Sequence, residues 1–243
     1  MKNEQTETTA NNQEPQVPIA ILPIGCIFPN SHNLQEYWAM LREGDDAITD
    51  VPSTYWNVDD YFDSDPKTPD HVYAKRGAFL PEIEFNPLEF GIVPNALEAT
   101  DTSQLLSLVA AQEALKDAGY TEDRDFDRNR VSVILGVTGT LEMVIPLGAR
   151  LGHPIWQRAL KDAGIDDAVT EDVIERIRQS YVDWQEASFP GLLGNVVAGR
   201  IANRFDFGGT NCSVDAACAS SLSALHLASL ELASGKSDMV LTG

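Results

Sequence analysis

The chain has 243 residues, of which 37 are acidic and 17 basic, so its formal net charge at pH 7 is -20. This charge argues against binding to nucleic acid and to anionic membrane surfaces, because both select basic proteins. Hydrophobic residues make up 43% of the sequence, enough for a sizeable core, yet no apolar run reaches the ~20 residues that a transmembrane helix needs.

The N-terminal segment and the cysteines indicate a reducing compartment. Residues 1–17 are polar and lack the apolar core of a signal peptide, so we expect a disordered leader before one domain over residues 18–243. Cys26, Cys212 and Cys218 follow neither a disulfide framework nor a zinc spacing. The sequence therefore predicts a cytoplasmic protein without a metal site.

The first half of the chain alternates predicted strands and helices around one acidic segment. An apolar run predicts a strand over Ile19–Ile24, and the pattern after it predicts a helix near Asn33–Arg42. Residues 44–75 are acidic and turn-rich without the spacing of a calcium loop, which indicates a solvated surface segment. Helical spacing returns over Thr102–Ala118, and Val131–Val137 has the composition of a buried strand.

Glycines at the end of that strand do not indicate a nucleotide site. Gly136 and Gly139 lack the third glycine and the acidic partner of a dinucleotide-binding fingerprint. Beyond them the predicted helices are Ile155–Ala163, Thr170–Trp184, Leu192–Phe205 and Ser220–Ala233, and the predicted strands are Thr210–Val214 and Met239–Thr242. The alternation of strands and helices predicts an α/β fold with a buried sheet.

Cys218 lies between the strand that ends at Val214 and the helix that begins at Ser220. A thiol at the first turn of a helix faces unpaired backbone N–H groups and the positive end of the helix dipole, and both favour the nucleophilic thiolate. Small neighbouring residues leave room for a bulky acyl group. Cys26 and Cys212 open no helix and are predicted to be core residues, which is the ordinary role of a free cysteine and the alternative for Cys218 as well.

The segment around Cys218 resembles the active-site motif of β-ketoacyl synthases, the condensing enzymes of fatty-acid and polyketide synthesis. Val214–Leu222 reads Val-Asp-Ala-Ala-Cys-Ala-Ser-Ser-Leu, where the family pattern is Val-Asp-Thr-Ala-Cys-Ser-Ser-Ser-Leu. Ala216 and Ala219 depart from that pattern, and neither departure removes the nucleophile. The run Ala-Leu-His-Leu-Ala at 224–228 also stands where the family often has it.

Further ordered matches extend the resemblance over most of the chain. They are Ile19–Pro29, Tyr37–Trp38, Leu41–Gly44, Ala114–Tyr120 and Ala198–Phe205, with Asp101–Leu106 in place of the more usual Asp-Pro-Gln-Gln-Arg-Leu. Phe189–Asn195 resembles the ketosynthases of polyunsaturated-fatty-acid synthases and related type I polyketide or glycolipid synthases. The resemblance implies the N-terminal half of a thiolase-like, layered αβαβα fold and a homodimer. Thr138–Met143 then either helps line the acyl channel of the partner subunit or is an ordinary strand-to-helix turn.

The resemblance also implies that this sequence is the N-terminal portion of a larger protein. The family carries two catalytic histidines, in a His-Gly-Thr-Gly-Thr motif and a later Gly-His, and neither motif occurs here. His226 lies two helical turns beyond Cys218, too far to reach the sulfur, and we expect it to be a packed helix residue. His32, His71 and His153 are given no catalytic role, so the fragment alone is expected to be inactive.

The activity that the resemblance implies is that of a 3-oxoacyl-[acyl-carrier-protein] synthase, an acyltransferase. Cys218 would accept an acyl chain from the phosphopantetheine arm of an acyl carrier protein for condensation with a malonyl unit, and no cofactor would bind directly. Acyl carrier proteins are acidic, as this chain is, so we expect a carrier on the same polypeptide or a local basic patch such as Lys75 and Arg76. The alternatives are a non-catalytic ketosynthase-like partner (chain-length factor or scaffold) and a cysteine hydrolase, for which no candidate histidine base is present.

Overall fold

The computed structural model describes residues 18–121, 123–138 and 142–243, so the predicted leader, residues 1–17, lies outside the described residues. The helices are α1 (Leu34–Glu43), α2 (Val58–Tyr61), α3 (Thr102–Asp117), α4 (Val144–Leu151), α5 (His153–Asp162), α6 (Asp167–Gln179), α7 (Ser188–Gly191), α8 (Val196–Arg204) and α9 (Ser220–Ala233). The strands are β1 (Ile48–Asp50), β2 (Arg76–Ala78), β3 (Val131–Gly136), β4 (Asn211–Val214) and β5 (Met239–Thr242). Within the described ranges, no helix combines the length and apolar character that crossing a membrane requires.

A three-stranded parallel sheet with the order β4–β3–β5 forms the centre of the fold. Gly136 at the end of β3 lies opposite Val214 at the end of β4. Because these strands are parallel and in this register, the loops that follow them emerge side by side at one edge of the sheet.

Helices cover both faces of this sheet. Val131 and Val133 of β3 belong to a core cluster with residues of α3 and α8. Ser132, which points to the opposite face of the strand, contacts Glu231 of α9. The layers α3/α8, sheet and α9 confirm the predicted α/β class.

Most helices and strands follow the predicted bounds closely. α9 and β5 have the predicted bounds, while α1, α3, α5, β3 and β4 differ from theirs by one or two residues. The start of α3 is fixed by Asp101, whose carboxylate accepts the Ser103 N–H at 3.0 Å. The acidic segment 44–75 is largely turns and exposed chain, as predicted, with the short β1 pairing antiparallel to β2.

The predicted strand Ile19–Ile24 is wrong, because that segment forms no strand. Ile21 is 85% exposed and Ile24 is 52% exposed. A strand requires a neighbour that accepts and donates its backbone hydrogen bonds, and in the described ranges none pairs with this segment.

The predicted helix Leu192–Phe205 is present as α8, which begins at Val196 and ends at Arg204; the short helix α7 lies before the predicted range, and a break separates the two helices. The side chain of Gln104, which is fully buried in α3, explains the break. Its amide donates to the carbonyls of Pro190, Gly191 and Leu193 at 2.8, 3.0 and 3.1 Å. Carbonyls turned towards Gln104 are poorly placed to continue one helix through this segment.

The helices α4 and α6 also differ from the prediction. α6 begins three residues before the predicted Thr170, where the Asp166 side chain caps it, and ends at Gln179 instead of Trp184. The Arg150 guanidinium donates to the Arg178 carbonyl and so occupies an acceptor at the end of α6. The sequence did not predict α4, which contains Pro146; proline is tolerated there because its ring lies in the first helical turn.

A small polar cluster joins the end of α9 to the sheet. Ser132 and Ser237, both buried, are hydrogen-bonded at 2.6 Å. The Glu231 carboxylate lies 3.2 and 3.3 Å from these two hydroxyls, so it accepts from the one whose proton is not used in the bond between the serines, and its side chain is only 12% exposed. Hydrogen bonds from Thr210 and Ser132 hold the pKa of Glu231 below its usual value.

We expect Glu231→Gln to lower the free energy of unfolding at pH 7 by roughly 2 kcal/mol, because the hydrogen bonds then go to a neutral amide instead of a carboxylate and the pair with Lys236 is removed. Since the folded-state pKa of Glu231 is lowered, its stabilisation is complete above the usual glutamate pKa and disappears as the pH falls through the folded-state value. The difference between the two proteins should therefore narrow on acidification. Urea unfolding of both proteins at pH 7 and at successively lower pH measures this difference in the free energy of unfolding. Glu113→Gln, which removes an exposed pair with Lys116, is the control and should change little.

Candidate active site

Cys218 lies on an exposed turn at the sheet edge where the loops after β3 and β4 emerge. The turn consists of the 3-10 segment Ala217–Ala219, between the end of β4 and the start of α9, and the Cys218 thiol is exposed. The sequence placed Cys218 in the first turn of the long helix. The structure places it one residue before Ala219, the N-cap of α9, which preserves the strand–turn–helix arrangement.

The residue before the cysteine has an unfavourable backbone conformation. Ala217 has φ = 50°, in the left-handed region, which costs a residue with a Cβ roughly 1–2 kcal/mol. Ser220 opposes this cost: its hydroxyl accepts the Ala216 N–H at 2.9 Å and donates to the Ala217 carbonyl at 2.7 Å. Ser220 is 4% exposed, so it anchors the turn in the protein interior.

Asp215 supports the same turn from the other side. One carboxylate oxygen, Oδ1, accepts the Ala217 N–H at 3.0 Å and the Thr138 hydroxyl at 2.7 Å. The bond from Thr138 and then the one from Ala217 lower the pKa of Asp215, which keeps the carboxylate an ionised acceptor. These contacts give Asp215 a structural role, because its carboxylate fixes the turn before Cys218.

Strand β3 passes close beneath the start of α9. A Cβ added to Gly136 would lie 2.6 Å from the Ser220 carbonyl carbon and from the Ser221 nitrogen. Only glycine permits this approach, which sets the distance between the sheet and the helix that follows Cys218.

A half-buried hydrogen bond supports the loop between α7 and α8, which borders β4. The Gly194 carbonyl in this loop accepts the Ser213 hydroxyl of β4 at 3.0 Å. Gln104 holds the neighbouring carbonyls, and its own oxygen accepts from Arg200, whose pKa is lowered by burial. The sequence reasoning did not identify Gln104 or Ser220 as site supports, although a polar residue on a buried helix face and a serine at a helix start are both detectable signals.

The remaining cysteines are half-buried and lie outside the turn. Cys212 lies within β4 opposite Ile134 of β3. Burial raises the pKa of the Cys26 thiol. Cys218 is therefore the cysteine whose sulfur is exposed at a helix start.

The histidines occupy other places. His32 contacts Glu36 at 3.1 Å, while His71 and His153 contact the carbonyls of Pro69 and Arg150. His226 is exposed on α9, so the expectation that it is packed is wrong; α9 contacts the sheet with its opposite face, through Ala224 and Ala228.

Two further expectations concern the acyl carrier and the acyl channel. Lys75 lies over the Phe62 ring and Arg76 contacts Asp50 and the Ile48 carbonyl; both side chains are exposed, and their role as a basic patch for a carrier stays a prediction. The possible role of Thr138–Met143 in lining the acyl channel of the partner subunit stays a prediction, because residues 139–141 lie outside the described residues.

The turn offers a thiol and a backbone donor side by side. The Ala217 N–H is bonded to the Asp215 carboxylate and the Ala219 N–H to the Ala216 carbonyl, and the Cys218 N–H between them belongs to the same residue as the thiol. In the described part of the chain, no group of three His, Cys, Asp or Glu side chains is placed to hold a metal ion. The arrangement fits covalent chemistry at sulfur, with an N–H group available for a developing oxyanion.

Comparison with known proteins places this geometry in a family context. Residues 16–243 match the family model "Beta-ketoacyl synthase, N-terminal domain". The chain is 36% identical over 233 residues to a polyunsaturated fatty acid synthase polypeptide from a Thraustochytrium species, covering 96% of this chain and 8% of that protein. It is 30% identical over 228 residues to polyketide synthase PksL of Bacillus subtilis, covering 93% of this chain and 4% of that one.

Solved structures agree with the sequence comparison. An oxazolomycin ketosynthase domain of Streptomyces albus superposes with a TM-score of 0.65 at 25% identity, covering 91% of this chain and 33% of that one. A variant of the ketosynthase from module 6 of the Bacillus subtilis bacillaene synthase gives a TM-score of 0.65 at 26% identity, covering 92% and 31%. The predicted thiolase-like fold, N-terminal half, is confirmed, and the chain spans about a third of the solved chains it matches.

Proposed function

Because the chain belongs to the β-ketoacyl synthase family, with residues 16–243 corresponding to its N-terminal domain, we propose that Cys218 is the acyl-accepting nucleophile of a ketosynthase. The observation that carries this proposal is the exposed thiol on a strained turn between β4 and α9. An unfavourable backbone conformation persists where surrounding contacts impose it, and such positions cluster at functional sites. The exposed thiol also argues against a non-catalytic ketosynthase-like partner, which has no use for it.

The first step of the proposed reaction is thioester exchange. The Cys218 thiolate attacks the carbonyl carbon of an acyl thioester, and the Cys218 N–H stabilises the oxyanion. A new bond forms between that carbon and Sγ, the bond to the donor sulfur breaks, and the donor leaves as a thiolate that takes up the proton which Cys218 lost on ionising. The product is an acyl group on Cys218.

The second step is decarboxylative condensation. A malonyl thioester loses carbon dioxide, its carbanion attacks the acyl carbonyl on Cys218, and the cysteine leaves as thiolate. The β-ketoacyl product is two carbons longer than the acyl group. We assign the decarboxylation to residues outside this sequence, because the described histidines are exposed or bonded elsewhere, and we expect the 243-residue chain alone not to condense substrates.

The proposed acyl donor is the phosphopantetheine arm of an acyl carrier protein, with no cofactor bound directly to this domain. A formal charge of -20 gives no long-range attraction to an acidic carrier, so a carrier on the same polypeptide is favoured. The proposal further includes a homodimer in the cytoplasm, a leader over residues 1–17, and a ketosynthase portion over 18–243. The product belongs to fatty-acid or polyketide synthesis.

Mass spectrometry of acyl-enzyme tests the assignment. The synthase containing this chain is incubated with a long-chain acyl-pantetheine thioester, digested, and searched for the added acyl mass. We expect the acyl group on the peptide that contains Cys218 and not on those that contain Cys26 or Cys212. Stoichiometric acylation at another residue, with Cys218 unmodified, would refute the proposal.

A further inference from the structure

The hydrogen bond between Thr138 and Asp215 joins two loops that are 77 residues apart in sequence. Thr138 follows β3, and Asp215 follows β4. The sheet ladder extends to this point, since the Val137 N–H donates to the Val214 carbonyl at 3.0 Å. The Thr138–Asp215 bond is therefore the next link between the two chain segments beyond the sheet.

The same carboxylate oxygen of Asp215 also reaches the turn that carries the nucleophile. Oδ1 accepts from the Thr138 hydroxyl at 2.7 Å and from the Ala217 N–H at 3.0 Å. Asp215 and the residues up to Ala219 are all exposed, so little side-chain burial fixes their conformation. Directional polar contacts must then set the conformation of Ala217, and with it the direction of the Cys218 thiol and N–H.

We propose that Thr138 and Asp215 are positioning residues for acyl transfer at Cys218. The Thr138 hydroxyl fixes the Asp215 carboxylate, which holds Ala217 in its left-handed conformation and so aims the sulfur and the adjacent N–H at one carbonyl. This role rests on the proposed function of Cys218 as acyl acceptor. The lowered pKa of Asp215 supports it further, because the side chain then remains an ionised acceptor at neutral pH.

The test compares Thr138→Val, which removes the hydroxyl at nearly constant shape, with Thr138→Ser, which keeps it. The measurement is the rate constant of Cys218 acylation and the KM for an acyl-pantetheine thioester, both in the whole synthase. We expect Thr138→Val to lower the rate constant about tenfold with little change in KM, the loss typical of one hydrogen bond to a charged group. Thr138→Ser should restore the rate.

A matched control removes the same kind of contact elsewhere. The Thr102 hydroxyl donates to the Glu142 carboxylate at 2.9 Å, and Thr102→Val should leave acylation unchanged. Alkylation of Cys218 by iodoacetamide should stay within about twofold in Thr138→Val, because it requires an accessible thiolate and no fixed direction towards a docked carbonyl.

A double-mutant cycle decides whether Thr138 acts through Asp215. Asp215→Ala should slow acylation at least as much as Thr138→Val, and the double variant should be no slower than Asp215→Ala alone. Additive losses, or acylation of Thr138→Val at the wild-type rate, would overturn the positioning role even where Cys218 is the acylated residue.

If Thr138→Val does not fold, the ratio of the acylation rate to the alkylation rate in Asp215→Ala decides, and a ratio unchanged from the wild-type protein overturns the proposal. Wild-type protein that is never acylated at Cys218 would instead remove the proposed function itself.

Discussion

Cys218→Ala is expected to reduce acyl transfer to the synthase by about three orders of magnitude or more, because the proposed covalent intermediate forms on the sulfur that this substitution removes. The site otherwise remains intact: Cys218 is exposed, so the free energy of unfolding should change by less than about 0.5 kcal/mol. Acyl-enzyme formation is measured by intact-protein mass spectrometry, and stability by urea unfolding of the same preparation.

Cys212→Ala is the control for this prediction. Cys212 is half-buried in β4, so its replacement is expected to lower stability modestly while acylation at Cys218 persists. An acyl-enzyme that forms at the wild-type level in Cys218→Ala would show that the nucleophile lies elsewhere. A large loss of stability in Cys218→Ala would show that the cysteine has a packing role.

The parts of the fold that the sequence predicted correctly are those with a buried face. The strand β3 is buried over its first four residues and is apolar except for Ser132 and Gly136, because helices cover both of its faces. α3 places Leu108, Ala111 and Leu115 on one side at helical spacing, and this side enters the core. Cys218 could be predicted as a candidate because strand, turn and helix succeed one another within a few residues, so local sequence contains the whole arrangement.

The errors arise where contacts distant in sequence decide the structure. The break between α7 and α8 depends on Gln104, which is more than eighty residues away in sequence. The hydrophobic periodicity used to predict a helix there does not reveal that contact. The bond from Thr138 to Asp215 requires the register of two parallel strands, which the sequence does not specify. Helix α9 has the predicted bounds, and the described residues cover only one of its faces, so Leu222 on the other face is 73% exposed.

Gly136→Ala is expected to destabilise the protein by roughly 3 kcal/mol, an overpacking cost. The added Cβ would lie 2.6 Å from backbone atoms of Ser220 and Ser221, and backbone at a strand–helix contact cannot rotate away as a side chain can. The start of α9 must therefore move outward, taking with it the Ser220 hydroxyl that holds the turn before Cys218. A displacement of the turn that carries Cys218 by up to about 1 Å should slow acylation by up to about a hundredfold.

Gly148→Ala is the matched control, since a Cβ at Gly148 in α4 meets nothing within 4 Å. Alanine there is expected to be neutral or to stabilise by up to about 1 kcal/mol, with acylation unchanged. The loss of stability and the slower acylation in Gly136→Ala can be told apart by measuring acylation under conditions in which the variant is fully folded. A folded Gly136→Ala variant with the wild-type acylation rate would show that the spacing between β3 and α9 supports the fold alone. A slowed rate in the folded variant would show that the sheet also fixes the position of the nucleophile.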